Sequence, residues 1–275
     1  MKRILVPVDF SEQAEHAIKT AAQIARLSYG KIYLLHMISL PSNQTDIEFS
    51  SKANNPAKIL YLRKIHERFD QIMKADYLKG IEVQEEVRFH KTFAGIINYS
   101  RELNADLIIM GSHGATGLKE MFIGSNTEKV VRNSDVPVLV VKKGIDIKNI
   151  NKFVFASDFS DNIKPSFGRF LKFASKFNAE VDLLFVNTVH NFETTQDTAK
   201  RLREFILEFD MPKHTLNIYN DSSIERGILN FAKEANADII ALNTHQRSGL
   251  SSMFNDSISE DLVNHAIKPV VTFKL

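Results

Sequence analysis

The feature that most limits what this chain can fold into is that it repeats itself. Asp9-Phe10-Ser11 returns as Asp158-Phe159-Ser160, and Leu34-Leu35-His36-Met37 returns as Leu183-Leu184-Phe185-Val186, both after 149 residues. Farther along the spacing shortens to 132 residues: Gly95-Ile96-Ile97-Asn98-Tyr99 returns as Gly227-Ile228-Leu229-Asn230-Phe231, and Asn104-Ala105-Asp106 as Asn236-Ala237-Asp238. Met121-Phe122 and Pro137-Val138 recur at the same spacing. The first copy therefore carries about 17 extra residues between Met37 and Phe93, and the polar stretch from Ser42 to Pro56 is their natural place. Two tandem copies of one domain explain the pattern, with residues 1–145 as the first and 150–275 as the second. Lys, Gly, Asp and Asn interrupt the apolar pattern between Gly144 and Asn151.

Each copy alternates strand-like and helix-like segments. Strands are predicted over Arg3–Val8, Lys31–His36, Ile81–Arg88, Asp106–Met110 and Pro137–Val141. The first, fourth and fifth are nearly continuous apolar runs, as strands buried on both faces of a parallel sheet should be. Helices are predicted over Glu12–Leu27, Ala57–Met73, Thr92–Leu103 and Ser125–Ser134. The second copy repeats the strand order over Lys152–Ala156, Glu180–Asn187, His214–Asn220, Asp238–Leu242 and Pro269–Phe273. The expected fold is α/β, with two tandem doubly wound domains, each built on a parallel five-stranded sheet. In such folds ligands bind at the carboxyl ends of the strands.

One of those strand ends carries a motif. Gly111-Ser112-His113-Gly114 follows the strand at Met110, and nine residues later Gly124-Ser125 opens a helix. Glycine lets backbone approach an anion closely, and the free N–H groups of a helix N-terminus favour negative charge. Strand, glycine loop, hydroxyl and helix together form a phosphate cradle. Asp9 follows the first strand, where a carboxylate accepts hydrogen bonds from ribose hydroxyls or caps the helix near Ser11. Met37 ends the second strand, where backbone groups can pair with a base edge.

The spacing G-x2-G-x9-G-S resembles the nucleotide loop of the universal stress protein family. Ile4-Leu5-Val6-Pro7-Val8-Asp9-Phe10-Ser11-Glu12 resembles that family's opening strand, and Asp135-Val136-Pro137-Val138-Leu139-Val140-Val141 its last. The resemblance spans residues 1–143, with a weaker copy beyond, and implies Rossmann-like domains of the adenine-nucleotide α-hydrolase-like type. It implies ATP, with or without Mg, as ligand. Pro7, Asp9 and Met37 would sit around the adenosine, and Gly111, Gly114, Gly124 and Ser125 would line the phosphates, with Asn126 donating beside Ser125 and His113 inside the loop. It also implies a regulatory or protective role in stress, and pairing of two domains through their last strands, within one chain or in a homodimer.

In the second copy the three defining glycines become Asn243, Gln246 and Asp256, while Asp158, Gly249 and Ser257 remain. Asn and Gln are expected to fill space that a phosphate needs, and Asp256 to repel it. Asp158 is then a helix cap or a relic, and nucleotide is expected in the first copy alone.

Composition excludes several classes. A formal net charge of +2 gives no electrostatic footprint for nucleic acid or an anionic membrane. Without cysteine there are no disulfides, thiol catalysis or cysteine-ligated metal. The N-terminal apolar run is too short for a signal sequence, and no stretch reaches the roughly 18 apolar residues needed to span a bilayer, so a cytoplasmic protein is the expectation. His36 is expected to end its strand and not to bind metal. There is no GxxxxGK[ST] and no evident general base. The rival reading, a slow ATP hydrolase or a nucleotidyl-transfer enzyme, needs a base or metal ligand near the glycine loop. A third, a pure interaction scaffold, has no use for the intact motif.

Overall fold

The computed structural model describes residues 1–39, 56–112, 124–244 and 256–275. The first half runs β1 (Arg3–Pro7), α1 (Glu12–Ser28), β2 (Lys31–Ile38), α2 (Pro56–Met73), β3 (Val83–Phe89), α3 (Thr92–Glu102), β4 (Leu107–Gly111), α4 (Ser125–Asn133) and β5 (Val138–Val141). The second runs β6 (Lys152–Ala156), α5 (Lys164–Ala174), β7 (Glu180–Asn187), α6 (Thr195–Ile206), β8 (His214–Asn220), α7 (Ile224–Glu234), β9 (Ile239–Thr244), α8 (Asp256–His265) and β10 (Val270–Lys274). This is the α/β architecture that the alternation predicts. Strand β2 continues to Ile38, two residues past its expected end, so His36 lies inside it, and β3 starts at Val83.

All ten strands share one sheet in the order β3-β2-β1-β4-β5-β10-β9-β6-β7-β8. Neighbours are parallel throughout each half, as helical crossovers dictate. The exception is the central pair: β5 and β10 run antiparallel, with Val140 opposite Val270 and Leu139 opposite Val271. Each half thus places its last strand against the other, and neither apolar edge faces water.

Alternation along the strands feeds two cores, one on each face. Ile4, Val6 and Leu139 lie in one with Ala17, Ala21 and Ile24 of α1. Leu5, Val138 and Val140 lie in the other with Ile96 of α3 and Val130 of α4. Both cores run through both halves, so burial continues across the junction. Helix α1 shows the local logic. Ser11 accepts a hydrogen bond from the Ala14 N–H at 3.2 Å as N-cap, Glu12 and Glu15 stand in the first turn and Arg26 in the last. It ends at Tyr29 in a left-handed conformation, φ 49°.

The segment between the halves is not a loose tether. Gln23 of α1 donates to the Ile145 carbonyl at 2.7 Å and accepts from the Ile147 N–H at 2.9 Å, and Ile147 and Ile150 are buried. Two equivalently placed lysines cross the junction. Lys142 reaches the Asn264 carbonyl at the end of α8, and Lys274 reaches Asp135 beyond the end of α4, each at 2.5 Å. No helix among the described residues is long and apolar enough to cross a membrane.

Candidate functional site

In the first half β1 lies between β2 and β4, so the connections leaving β1 and β4 part to opposite faces and open a crevice at their carboxyl ends. A cavity of about 240 Å³ lies there. Pro7 and Asp9 at the end of β1, Met37 of β2, Gly111 at the end of β4, and Gly124, Ser125 and Asn126 at the start of α4 all line it. The structure therefore brings seven of the expected site residues to one cavity. His113 and Gly114 lie outside the described residues. The sequence reading missed His36, Thr92, Ile96, Met110 and Thr127 on the same wall. Leu35, Ile96 and Met110 belong to one core and Val8 and Ala14 to the other, so the cavity sits across the end of the sheet.

The turn after β1 is built around Asp9. Its Oδ1 accepts from the Ser11 N–H at 3.0 Å and from the Ser11 hydroxyl at 2.6 Å, a local Asx turn. Ser11 itself caps α1, so Asp9 is not the cap that its position also suggested. Between them Phe10 has φ of 64°, a left-handed conformation that costs a side chain of this size about 1 kcal/mol. Packing offsets that: the Phe10 ring lies 4.8 Å from His36 and 5.2 Å from Phe69, and the Arg68 guanidinium sits over it at 5.1 Å.

His36 is half-buried, and its Nδ1 lies 2.7 Å from the Val8 carbonyl. Burial, more than any other cause, holds its pKa below the usual histidine value, so the ring is neutral at pH 7. A carbonyl only accepts, so Nδ1 carries the proton. Next along β2, Met37 turns its side chain into the sheet's other face, against α3. A Cβ at Gly95 would overlap the Met37 terminal methyl and come within 2.9 Å of its sulfur. Glycine here lets the helix close over β2.

Gly111 has a second reason to be a glycine beside the one the motif suggested. A Cβ there would come within 2.7 Å of the Gln13 carbonyl carbon and oxygen, inside the first turn of α1. Its missing side chain makes room for a helix as well as leaving backbone on the cavity wall. Gly124 has φ of −64° and ψ of 139°, which any residue adopts, so its backbone angle does not demand glycine. Its N–H donates to the Ser112 carbonyl at 2.7 Å. Thr127 is buried and donates to the Gly111 carbonyl at 3.1 Å, tying the start of α4 to the end of β4. The first-turn N–H groups of Ser125 and Asn126 have no acceptor within the helix. Among the described residues no three His, Asp or Glu side chains gather in a way that could hold a metal ion.

The second half keeps the turn. Asp158 Oδ1 accepts from the Ser160 N–H at 3.1 Å and its hydroxyl at 2.8 Å, and Phe159 has φ of 54°. Asn243, in the place of Gly111, does not reach toward a phosphate position. It is buried against α5, accepting from the Ser166 hydroxyl at 2.9 Å and lying 3.3 Å from the Ser157 hydroxyl. The expectation that Asn243 fills phosphate space is corrected: alternation along β9 points it at the helix layer. Gln246 lies outside the described residues, and Asp256 is the first residue of α8.

Comparison with known proteins shows the family. The model of the universal stress protein family matches residues 1–142 and 217–274. A universal stress protein from Methanocaldococcus jannaschii is 32% identical over 154 residues, 52% of this chain and 95% of that protein. A universal stress protein solved in complex with cAMP aligns with 52% of this chain and 97% of its own at 21% identity, with a TM-score of 0.36. A solved universal stress protein from Archaeoglobus fulgidus superposes over 99% of this chain and 98% of its own, with a TM-score of 0.73 at 21% identity. That last likeness is one of fold.

Proposed function

The chain belongs to the universal stress protein family, and we propose that it is an ATP-binding regulatory or protective factor of the stress response, with the nucleotide held in its first half alone. The observation that carries the reading is convergence. A carboxylate, a β2 strand end, a glycine at the end of β4 and the N-terminus of α4 meet at one cavity. Each suits a different part of a nucleotide. Asp9 would take the sugar hydroxyls, the backbone beside Met37 the base edge, and the N–H groups of Ser125 and Asn126 the phosphates. His113 and Gly114 would complete the phosphate loop.

The same reading divides the chain into two domains of the family type, 1–145 and 150–275. The antiparallel β5–β10 pair then does within one polypeptide what a homodimer would do between two. The second domain keeps the Asp158 turn but carries Asn243 and Asp256 where the first has glycines. A slow hydrolase would need a base aimed at a water beside the phosphates. On the described wall the groups able to act as a base are Asp9, with one oxygen committed to Ser11, and His36, tied through Nδ1 to the Val8 carbonyl. Calorimetric titration of the full chain with Mg-ATP should give a stoichiometry near one. A value near two with comparable affinities overturns the asymmetric reading, and no heat at all overturns the nucleotide reading.

A further inference from the structure

We infer that His36 is a positioning residue of the nucleotide site: its imidazole ties the end of β1 to β2 and so holds the Asp9 carboxylate where the sugar hydroxyls would meet it. The inference rests on the nucleotide reading above and deepens it. Three observations carry it. First, Nδ1 of His36 donates to the carbonyl of Val8, the residue immediately before Asp9, at 2.7 Å. The Val8 N–H already bonds the Leu35 carbonyl at 2.8 Å, so the side chain adds a second tie past the last residue of β1. Second, the same ring packs 4.8 Å from Phe10, the residue immediately after Asp9, which is in the left-handed region. Asp9 is thus bracketed by two residues that one imidazole holds. Third, the repeat supplies an internal control. Phe185 stands where His36 would be, and there the turn is tied instead by the Phe159 N–H to the Ser157 hydroxyl, at 3.4 Å. The imidazole belongs to the half whose crevice the nucleotide reading fills.

Neutral imidazole bonded through Nδ1 leaves Nε2 as an acceptor. The charged groups acting on the ring are Asp9, at the end of β1, and Arg68, on α2, and their effects oppose each other. His36 also lines the cavity, but its two ties run to the Val8 carbonyl and the Phe10 ring, and the effect inferred here passes through them. It should act on the nucleoside end of the ligand and leave phosphate contacts alone.

The test uses the full chain, titrated with adenosine and separately with Mg-ATP. H36F reproduces the residue of the second half and removes the donor. It should weaken both ligands by about tenfold and by the same factor, the size of one lost hydrogen bond. H36N, whose side-chain amide can donate to Val8, should recover to within about threefold of the parent. If H36F does not fold, as judged by circular dichroism, H36M set against H36N carries the same comparison. H36F binding adenosine as the parent does overturns the inference, and so does weakened ATP with adenosine unchanged, or H36N no better than H36M. A parent that binds neither ligand overturns the nucleotide reading and this inference together. A parent that binds both, with indifferent variants, overturns this inference alone.

Discussion

In the first half Gly111 at the end of β4 meets the first turn of α1 at Gln13; at the corresponding point of the second half Ser157, Ser166 and Asn243 meet. In one half the contact is apolar and tight, with α1 beginning as a full α-helix at Glu12, its Gln13 backbone against the Gly111 Cα. In the other it is a buried hydrogen-bonded trio, and the matching residues Asp161–Ile163 form a 3-10 turn before α5 starts at Lys164. The difference teaches that a motif glycine can be held in place by the element behind it as much as by a ligand in front. Elsewhere the halves also diverge in how they fill one face. Ile4, Val6, Ile18 and Ala21 are matched by Phe153, Phe155, Phe167 and Phe170, whose rings pack 4.6 to 5.9 Å from one another.

The comparison can be broken most sharply at Gly111. Gly111→Asn imports the second-half residue without its helix entry, and the obstacle is backbone. It should cost about 3 kcal/mol, read as a shift in the urea unfolding midpoint. A cost under about 1 kcal/mol would mean that α1 yields easily and the two contacts are interchangeable. Next in size, Gly124→Asp imports the second half's charge. Position 124 is the N-cap of α4 and has an ordinary backbone conformation, so Asp should add a few tenths of a kcal/mol to stability as a helix cap. The same carboxylate should abolish measurable Mg-ATP binding by calorimetry while adenosine still binds. Stability and affinity moving together would place the phosphates elsewhere.

The smallest effect lies at the junction. Asp135 is half-exposed, and the hydrogen bond from Lys274, aided by Arg101, holds its pKa below the usual carboxylate value. A depressed carboxylate pKa contributes stability above about pH 4, and that contribution is lost as pH falls through the folded value. Asp135→Asn should cost about 1 kcal/mol at pH 7 and less at pH 3, so the gap between parent and variant in urea narrows on acidification. An unchanged gap would mean that Lys274 finds no partner in Asp135 in solution.

How much of this was legible in the sequence depends on whether the signal was local. The order of elements followed from hydrophobic periodicity, Gly111 and Gly124–Asn126 from spacing along the chain, and Asp9 from its place after the first strand and the family resemblance. The reason for Gly111 did not, because Gln13 is nearly a hundred residues away and only the crossing of α1 over β4 brings them together. Asn243 was misread for the same cause: which face a residue serves at a strand end needs the register. His36 was passed over because a histidine in an apolar strand carries no sign of its acceptor, the carbonyl of Val8. Alternation does hold a clue, since it puts His36 on the same face as Leu34 and Phe10 beside it.

The antiparallel pairing of β5 with β10 has a consequence for direction. Strands β1 to β5 all run one way, and β6 to β10 all run the other. The carboxyl ends of the two halves therefore lie at opposite ends of the shared sheet, and β1 and β6 are five strand spacings apart, about 24 Å. The cavity beside Asp9 and the turn at Asp158 therefore lie at opposite ends of the sheet. No small ligand can touch both, and a partner docked over one end leaves the other uncovered. If occupancy of the cavity beside Asp9 is felt at the Asp158 end, it travels along the strands of a continuous buried sheet, and the molecule has a front and a back that one binding event sets apart.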